Sequence, residues 1–202
     1  ILGALRKYGI AAVGLSGVDG NIVHASRRPP KRLLNEETGK SEVVDFGHVG
    51  DIDRVDDRLL KVLLDADYVP VVASLGADQS GRVLNINADT IAAEIAGALP
   101  AVKLCLFSNV SGILRDVNDP SSRFSYITLD AAEDLIRSNA ISGGMIPKVK
   151  AAILAVRKGV KRVHIMSGLE ENALLYEVFT VKGLGTMVLD RHEEAAYLEE
   201  KA

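Results

Sequence analysis

A chain of 202 residues with 48% hydrophobic content can fill one substantial core or two closely packed lobes, which sets it apart from disordered sequences. Twenty-four Lys and Arg against 27 Asp and Glu leave a net charge of -3, too weak a field for nucleic acid or an anionic membrane, so a small-molecule partner fits better. The one cysteine, Cys105, cannot form an internal disulfide, and no apolar run approaches the ~20 residues of a membrane-spanning helix, which points to the cytoplasm.

The chain opens on Ile1 to Tyr8, read as the end of an amphipathic helix built on Leu2, Leu5 and the stem of Lys7 and stopped by Gly9. There is no initiator Met and no charged, apolar, small-residue order of a signal segment, so Ile1 is expected to be an internal position of a longer parent. Strands are expected at Ala11 to Leu15, Ile22 to Ala25, Val43 to Phe46, Val69 to Ser74, Val102 to Phe107, Arg162 to Met166 and Thr186 to Leu189, from their β-branched and aromatic content. Helices are expected at Asp56 to Ala66, Asp89 to Leu99, Leu129 to Ser138, Pro147 to Lys158 and Glu171 to Phe179, where apolar residues recur at three- and four-residue spacing. Such alternation belongs to a mainly parallel sheet covered on both faces by helices, the α/β class. Two polar stretches interrupt it. Ser26 to Lys40, with Arg27, Arg28, Pro29, Pro30, Lys31 and Arg32, reads as an exposed loop or hairpin arm. Arg115 to Phe124 directly follows a strand, where open parallel sheets carry ligand loops. A lobe boundary is expected near Gly76 to Gly81.

Three segments carry candidate chemistry. In Val83-Leu84-Asn85-Ile86-Asn87-Ala88-Asp89-Thr90 the alternation puts Asn85, Asn87 and Asp89 on one side just before a helix. Amides can hold a carboxylate substrate without adding charge, and Asp89 can orient cations near phosphates; Asn87 or Asp89 can equally cap the helix, and spacing leaves both readings open. In Leu106-Phe107-Ser108-Asn109-Val110-Ser111-Gly112-Ile113-Leu114 an apolar strand runs into a small, polar loop, which suits a nucleotide or an ordinary turn at Asn109 and Gly112. In Ile141-Ser142-Gly143-Gly144-Met145-Ile146-Pro147-Lys148-Val149-Lys150 the glycine pair permits close approach of backbone to phosphate. Lys148 at a helix start opposes the macrodipole and calls for an anionic partner, unless Pro147 simply begins the helix and Lys148 is solvated. No histidine spacing suggests a metal site: His48 reads as a strand or its edge, His164 as a strand interior, His24 and His192 as surface. Cys105 reads as core packing.

Taken together, Gly14-Leu15-Ser16-Gly17-Val18-Asp19-Gly20, Asn85 to Asp89, Ser108 to Leu114, Gly143 to Lys148 and Gly183-Leu184-Gly185-Thr186-Met187 resemble, in order and spacing, the acetylglutamate kinases of the amino-acid kinase family. The resemblance runs from Leu2 to Leu189. It implies a three-layer α/β/α sandwich with an open, mainly parallel central sheet. Residues 1–80 would be the remainder of an amino-terminal lobe that binds the acyl amino acid and dimerises, and 81–202 a carboxy-terminal lobe that binds ATP, with Mg2+ held mainly through the nucleotide phosphates. The implied reaction is ATP-dependent phosphorylation of the side-chain carboxylate of N-acetyl-L-glutamate, the second step of arginine biosynthesis. By position Asn85, with Asn87, corresponds to the substrate-binding asparagine, Asp89 to the aspartate that organises the catalytic lysines, and Lys148 to the lysine that stabilises the transition state. Asn109, Val110, Ser111, Gly112, Ile113 and Leu114 match the nucleotide-binding loop, and Ala140, Ile141 and Ser142 a second nucleotide contact. Asn109 stands where relatives often carry Asp. Transfer would be in line, with the carboxylate already a competent nucleophile and no general base, so that Lys148 and Asp89 are expected to serve a common cleft.

The resemblance also has departures. The family's opening glycine-rich loop with a first catalytic lysine, its glycine pair and its substrate-gripping arginine are absent from this sequence, so the chain as written is expected to be catalytically incomplete. The ending Gly183 to Val188 resembles arginine-sensitive relatives, which adds arginine as an expected feedback inhibitor and a homodimer or higher homo-oligomer as the expected assembly. Two other readings stand beside this one. A kinase of carrier-linked aminoadipate in lysine biosynthesis would use the basic run Arg27 to Arg32 toward an acidic carrier protein, though it tends to depart from the Asn85 to Asp89 pattern. A truncated paralogue would bind nucleotide or amino acid without turnover.

Overall fold

The computed structural model describes residues 1–34, 39–116, 118–180 and 183–201, and the chain divides into two units, Ile1–Ile91 and Ala92–Ala202. In the first, α1 (Leu2–Lys7) ends where Gly9 takes the left-handed φ of 71°. Strand β1 (Ala12–Ser16) then pairs in parallel with β6 (Val69–Ala73), Ala12 opposite Val69. A four-stranded sheet follows the order β5 (Gly50–Val55), β2 (Val23–Arg27), β7 (Leu75–Ala77), β8 (Val83–Asn85), with a bulge between His24 and Ala25. His24, expected at the surface, stands half-buried in β2. Ile22, Val23, Ala25, Leu60, Leu84 and Ile86 are buried in this unit, Leu60 coming from α2 (Arg58–Asp65).

The expected arm at Ser26 to Lys40 carries β3 (Lys31–Leu34), antiparallel to β4 (Ser41–Val44); the part of that arm at 35–38 lies outside the described residues. Strand β4 stops short of the expected Phe46 because Asp45 turns the chain, accepting the Gly47 N–H at 2.9 Å while Gly47 sits at φ 66°. The Gly76 to Gly81 stretch, where a lobe boundary was expected, forms the β7–β8 hairpin. Gly76 leaves only 2.7 Å between an added Cβ and Ile86 Cδ1, and Gly81 turns at φ 80° under the Asp78 carboxylate, which accepts the Ser80 and Arg82 N–H groups. The two units part instead within α3 (Ala88–Ala98).

The second unit is a three-layer α/β arrangement. Its sheet runs β10 (Tyr126–Thr128), β12 (Thr186–Leu189), β11 (Arg162–Ser167), β9 (Lys103–Ser108), with the outer pairings parallel and β11–β12 antiparallel. Alternation sends Leu106, Val163, Ile165 and Val188 into one core. There they meet Val149, Ala152 and Val156 of α5 (Met145–Arg157), beside α4 (Leu129–Arg137). The alanines of α5 allow close approach, and each fully buried Val or Ile contributes about 1.5–3 kcal/mol. On the opposite face His164 meets Glu177 of α6 (Ala173–Phe179), and Arg162 bonds Glu193 and Glu200 of α7 (Arg191–Lys201). Among the described residues no helix is long and apolar enough to cross a membrane.

Candidate functional site

At the carboxyl end of β9 the chain leaves the sheet through Asn109 to Leu114. Gly112 adopts φ 146°, and a Cβ there would lie 2.5 Å from Thr186 Oγ1, so this position needs glycine on both counts. The next residue, Ile113, is buried and donates its N–H to Thr186 Oγ1 at 2.9 Å. From there the expected ligand excursion returns on itself: the Phe124 N–H donates to Ile113 O (2.9 Å), and the Arg115 guanidinium lies 4.4 Å from the Phe124 ring centre. Its tip is held by side chains. Asp119 accepts the Ser121 hydroxyl and N–H, which hold its carboxyl below the usual range.

A second loop joins α4 to α5. Asn139 and Gly143 both take φ 55°, and no atom lies within 4 Å of where a Cβ on Gly143 or Gly144 would stand, so the backbone faces open space. Helix α5 begins at Met145, two residues before the expected Pro147. Proline at the third helical position is tolerated because its missing N–H is among the donors a helix start cannot satisfy. Lys148 follows, half-buried, in the first turn of the helix.

Between these loops lies a cavity of about 620 Å³. Asn109, Val110, Gly112, Ile113 and Leu114 line one side, Ala140, Ile141, Ser142 and Gly144 the other, with Phe107 and Met145 as apolar walls. Lys148 completes the lining; Ser111 shares the first loop without lining the cavity.

The remaining candidates belong to the first unit. Leu84 and Ile86 are buried while Asn85 and Asn87 are exposed, the alternation the sequence suggested. Asn85 ends β8 with its N–H donated to His48 O at 2.7 Å. Asn87 caps α3: its Oδ1 accepts the Thr90 N–H at 3.0 Å. Asp89 is half-buried in the first turn, where its charge complements the helix dipole. In the Gly14 to Gly20 motif the glycines serve packing, since a Cβ on Gly17 would meet Leu75 O at 2.1 Å.

One buried site escaped the sequence reading. His164 Nδ1 lies 2.7 Å from Glu177 Oε1, with both side chains 5% exposed, beside a cavity of about 270 Å³ that Gly183 and Gly185 also line. Glu177 Oε2 accepts the N–H groups of Leu184 (2.6 Å) and Gly185 (2.7 Å). Burial pushes the Glu177 carboxyl up, yet the His164 ring and these N–H donors together hold it below the usual carboxylate range. Among the described residues His164 Nε2 is buried with no hydrogen-bond partner. The available signal was a single carboxylate inside the apolar run Leu174-Leu175-Tyr176-Glu177-Val178-Phe179. Among the described residues no group of three or more His, Cys, Asp or Glu could hold a metal ion.

Apolar walls, glycine backbone at a helix start and one lysine are thus gathered at a strand end of an α/β unit. The chain belongs to the amino acid kinase family, whose model matches residues 1–167. It is 43% identical over 189 residues to an acetylglutamate kinase of Methanococcus maripaludis, covering 94% of this chain and 63% of that protein. It is 40% identical over 190 residues to the acetylglutamate kinase of Methanothermobacter thermautotrophicus, covering 94% of this chain and 65% of that one. The chain thus spans somewhat less than two thirds of the length of these relatives. Among solved structures, N-acetylglutamate synthase from Neisseria gonorrhoeae, complexed with coenzyme A and N-acetyl-glutamate, matches with TM-score 0.73 and 25% identity over 94% of this chain and 40% of that chain.

Proposed function

We propose that the full-length protein containing this chain transfers a phosphoryl group from ATP to the side-chain carboxylate of N-acetyl-L-glutamate, giving an acyl phosphate for arginine biosynthesis. The observation that carries this reading is the cavity between the Asn109 to Leu114 loop and the start of α5, in a chain 40–43% identical to proteins named acetylglutamate kinase. Its fit to a nucleotide is physical. A volume of about 620 Å³ suits a small-molecule site, Phe107, Ile141 and Met145 offer apolar surface to a base, and the open backbone at Gly143 and Gly144 offers a place for phosphates.

ATP, when bound, supplies the phosphoryl group, with Mg2+ carried on its phosphates. Lys148 neutralises charge on the group in transfer. Asn85 and the amide of Asn87 hold the acyl amino acid through its polar groups, and Asp89 orients cationic groups. No side chain need remove a proton, because the accepting carboxylate is already ionised. Arginine as a feedback inhibitor belongs to this reading through the Gly183 to Val188 segment, whose Gly183 and Gly185 line the smaller cavity. A cytoplasmic homo-oligomer completes the reading.

The carrier-linked aminoadipate alternative gains no support from the basic arm. Arg27 and Arg28 are already paired with Asp45 (2.7 Å) and Asp51 (2.5 Å), leaving less charge for an acidic carrier. The test is a hydroxylamine-trapping assay of the full-length protein with ATP, Mg2+ and either N-acetyl-L-glutamate or carrier-linked aminoadipate. Acyl hydroxamate from the first alone is expected. Preference for the carrier-linked acid, or ATP binding without turnover on either acid, would overturn the proposal.

A further inference from the structure

We infer that Thr186, at the start of β12, is a positioning residue that sets the nucleotide loop; the inference rests on the proposed nucleotide site. Thr186 is fully buried, and its hydroxyl bridges two segments of chain. Its oxygen accepts the Ile113 N–H at 2.9 Å and its hydrogen goes to Phe124 O at 2.7 Å. Because Phe124 N–H also donates to Ile113 O, the hydroxyl is inserted at the root of the arm, where the chain leaves for the excursion and where it returns. Gly112 lies so close to the same oxygen that only a residue without Cβ fits. Gly112 and Ile113 both line the large cavity. The position of the cavity wall is therefore defined by one hydroxyl on a neighbouring strand.

That strand start is itself fixed. The Gly185 N–H is held by Glu177 Oε2, an added Cβ on Gly185 would meet Ile165 O at 2.7 Å, and the Met187 N–H donates to Ser125 O at 3.0 Å. A rigid strand presenting a hydroxyl to a loop that must hold a ligand is a positioning arrangement. A purely packing role would be met by the isosteric Val. The hydroxyl matters because two backbone polar groups at the arm's root bond to it, the buried Ile113 N–H and the part-buried Phe124 carbonyl.

The experiment uses the full-length protein. Steady-state kinetics are measured for wild type, Thr186→Val and Thr186→Ser, with KM for ATP and for N-acetyl-L-glutamate determined separately. Loss of the hydroxyl in Thr186→Val is expected to raise KM for ATP about tenfold while KM for the acyl amino acid stays near wild type; Thr186→Ser is expected to restore the ATP value. A Val variant with lowered melting temperature but unchanged KM for ATP overturns the inference. Amide hydrogen exchange on the wild type decides the matter if the Val variant does not fold. A strongly protected Ile113 amide, protected further by ATP, supports the inference, and an Ile113 amide that exchanges as freely as the loop tip overturns it. A wild type that binds no ATP overturns the nucleotide reading itself, an outcome distinct from both.

Discussion

Glu177 stands 2.7 Å from His164 through one carboxylate oxygen and takes the Leu184 and Gly185 N–H groups on the other, so one buried side chain of α6 ties β11 to the run into β12. Its carboxyl is held below the usual range despite burial. A group whose folded value is depressed contributes stability that is complete above its unfolded value and is lost as pH falls through the folded one. Urea unfolding followed over a pH series should therefore show wild-type stability declining below about pH 4.3. Glu177→Gln should cost about 1–3 kcal/mol at neutral pH and flatten that decline. A Gln variant with the wild-type acid profile would mean that other carboxylates carry it.

Lys148 reaches the cavity from the first turn of α5, close to backbone with open space around it. If its ammonium acts mainly on charge that develops during transfer, Lys148→Met should lower kcat about 10²–10³-fold with a smaller change in KM for ATP. A rise in KM at constant kcat would instead make the lysine a ground-state anchor for the nucleotide.

Arg162 holds α7 by three bonds and a ring. Its Nε donates to Glu193 at 2.7 Å, its two terminal nitrogens reach Glu200 at 2.9 and 2.7 Å, and the guanidinium lies 5.6 Å from the centre of Tyr197. Hydrogen bonding to Glu200 first, and then to Glu193, pushes the guanidinium pKa up against the effect of burial, so the guanidinium stays charged at any working pH. Arg162→Lys keeps charge but loses the planar fork. The variant should lose about 1–2 kcal/mol in urea unfolding and expose Arg191–Lys201 to limited proteolysis, with Arg162→Ala losing more.

That helix also marks where the sequence stopped being legible. Among residues 191–200 only Ala195, Ala196, Tyr197 and Leu198 are apolar, and they form one run rather than a three- or four-residue period. The helix is held by Arg162, a contact from another element, which local pattern cannot encode. Strands β9, β11 and β12 were legible because each carries a short apolar run that is buried or half-buried, Leu104-Cys105-Leu106, Ile165-Met166 and Met187-Val188-Leu189. Strand β5, Gly-Asp-Ile-Asp-Arg-Val, and the exposed β3, Lys-Arg-Leu-Leu, escaped because antiparallel pairing, not burial, makes them strands. Around the large cavity, the loop composition of Asn109 to Leu114 and the Gly143-Gly144 pair were visible in the sequence, while Ala140, Ile141 and Ser142 came only from the family resemblance. Thr186 and Glu177 were silent as ligands of backbone, since the backbone partners of Thr186 lie 73 and 62 residues away and those of Glu177 belong to the run into another strand, 7 and 8 residues on.

Asn87 is the residue where two readings can be separated cleanly. Its Oδ1 caps α3 through the Thr90 N–H at 3.0 Å, a role any short oxygen-bearing side chain can fill, whereas holding an acyl amino acid would use the amide as a donor. Asn87→Ala should lower stability by about 1 kcal/mol, and Asn87→Ser should recover most of that because serine caps nearly as well. If the amide also binds substrate, Asn87→Ser will keep the melting temperature of wild type while KM for N-acetyl-L-glutamate rises severalfold and KM for ATP stays put. Equal KM values in wild type and Asn87→Ser would assign Asn87 to the helix alone and leave the acyl amino acid to Asn85, for which Asn85→Ser is the corresponding measurement.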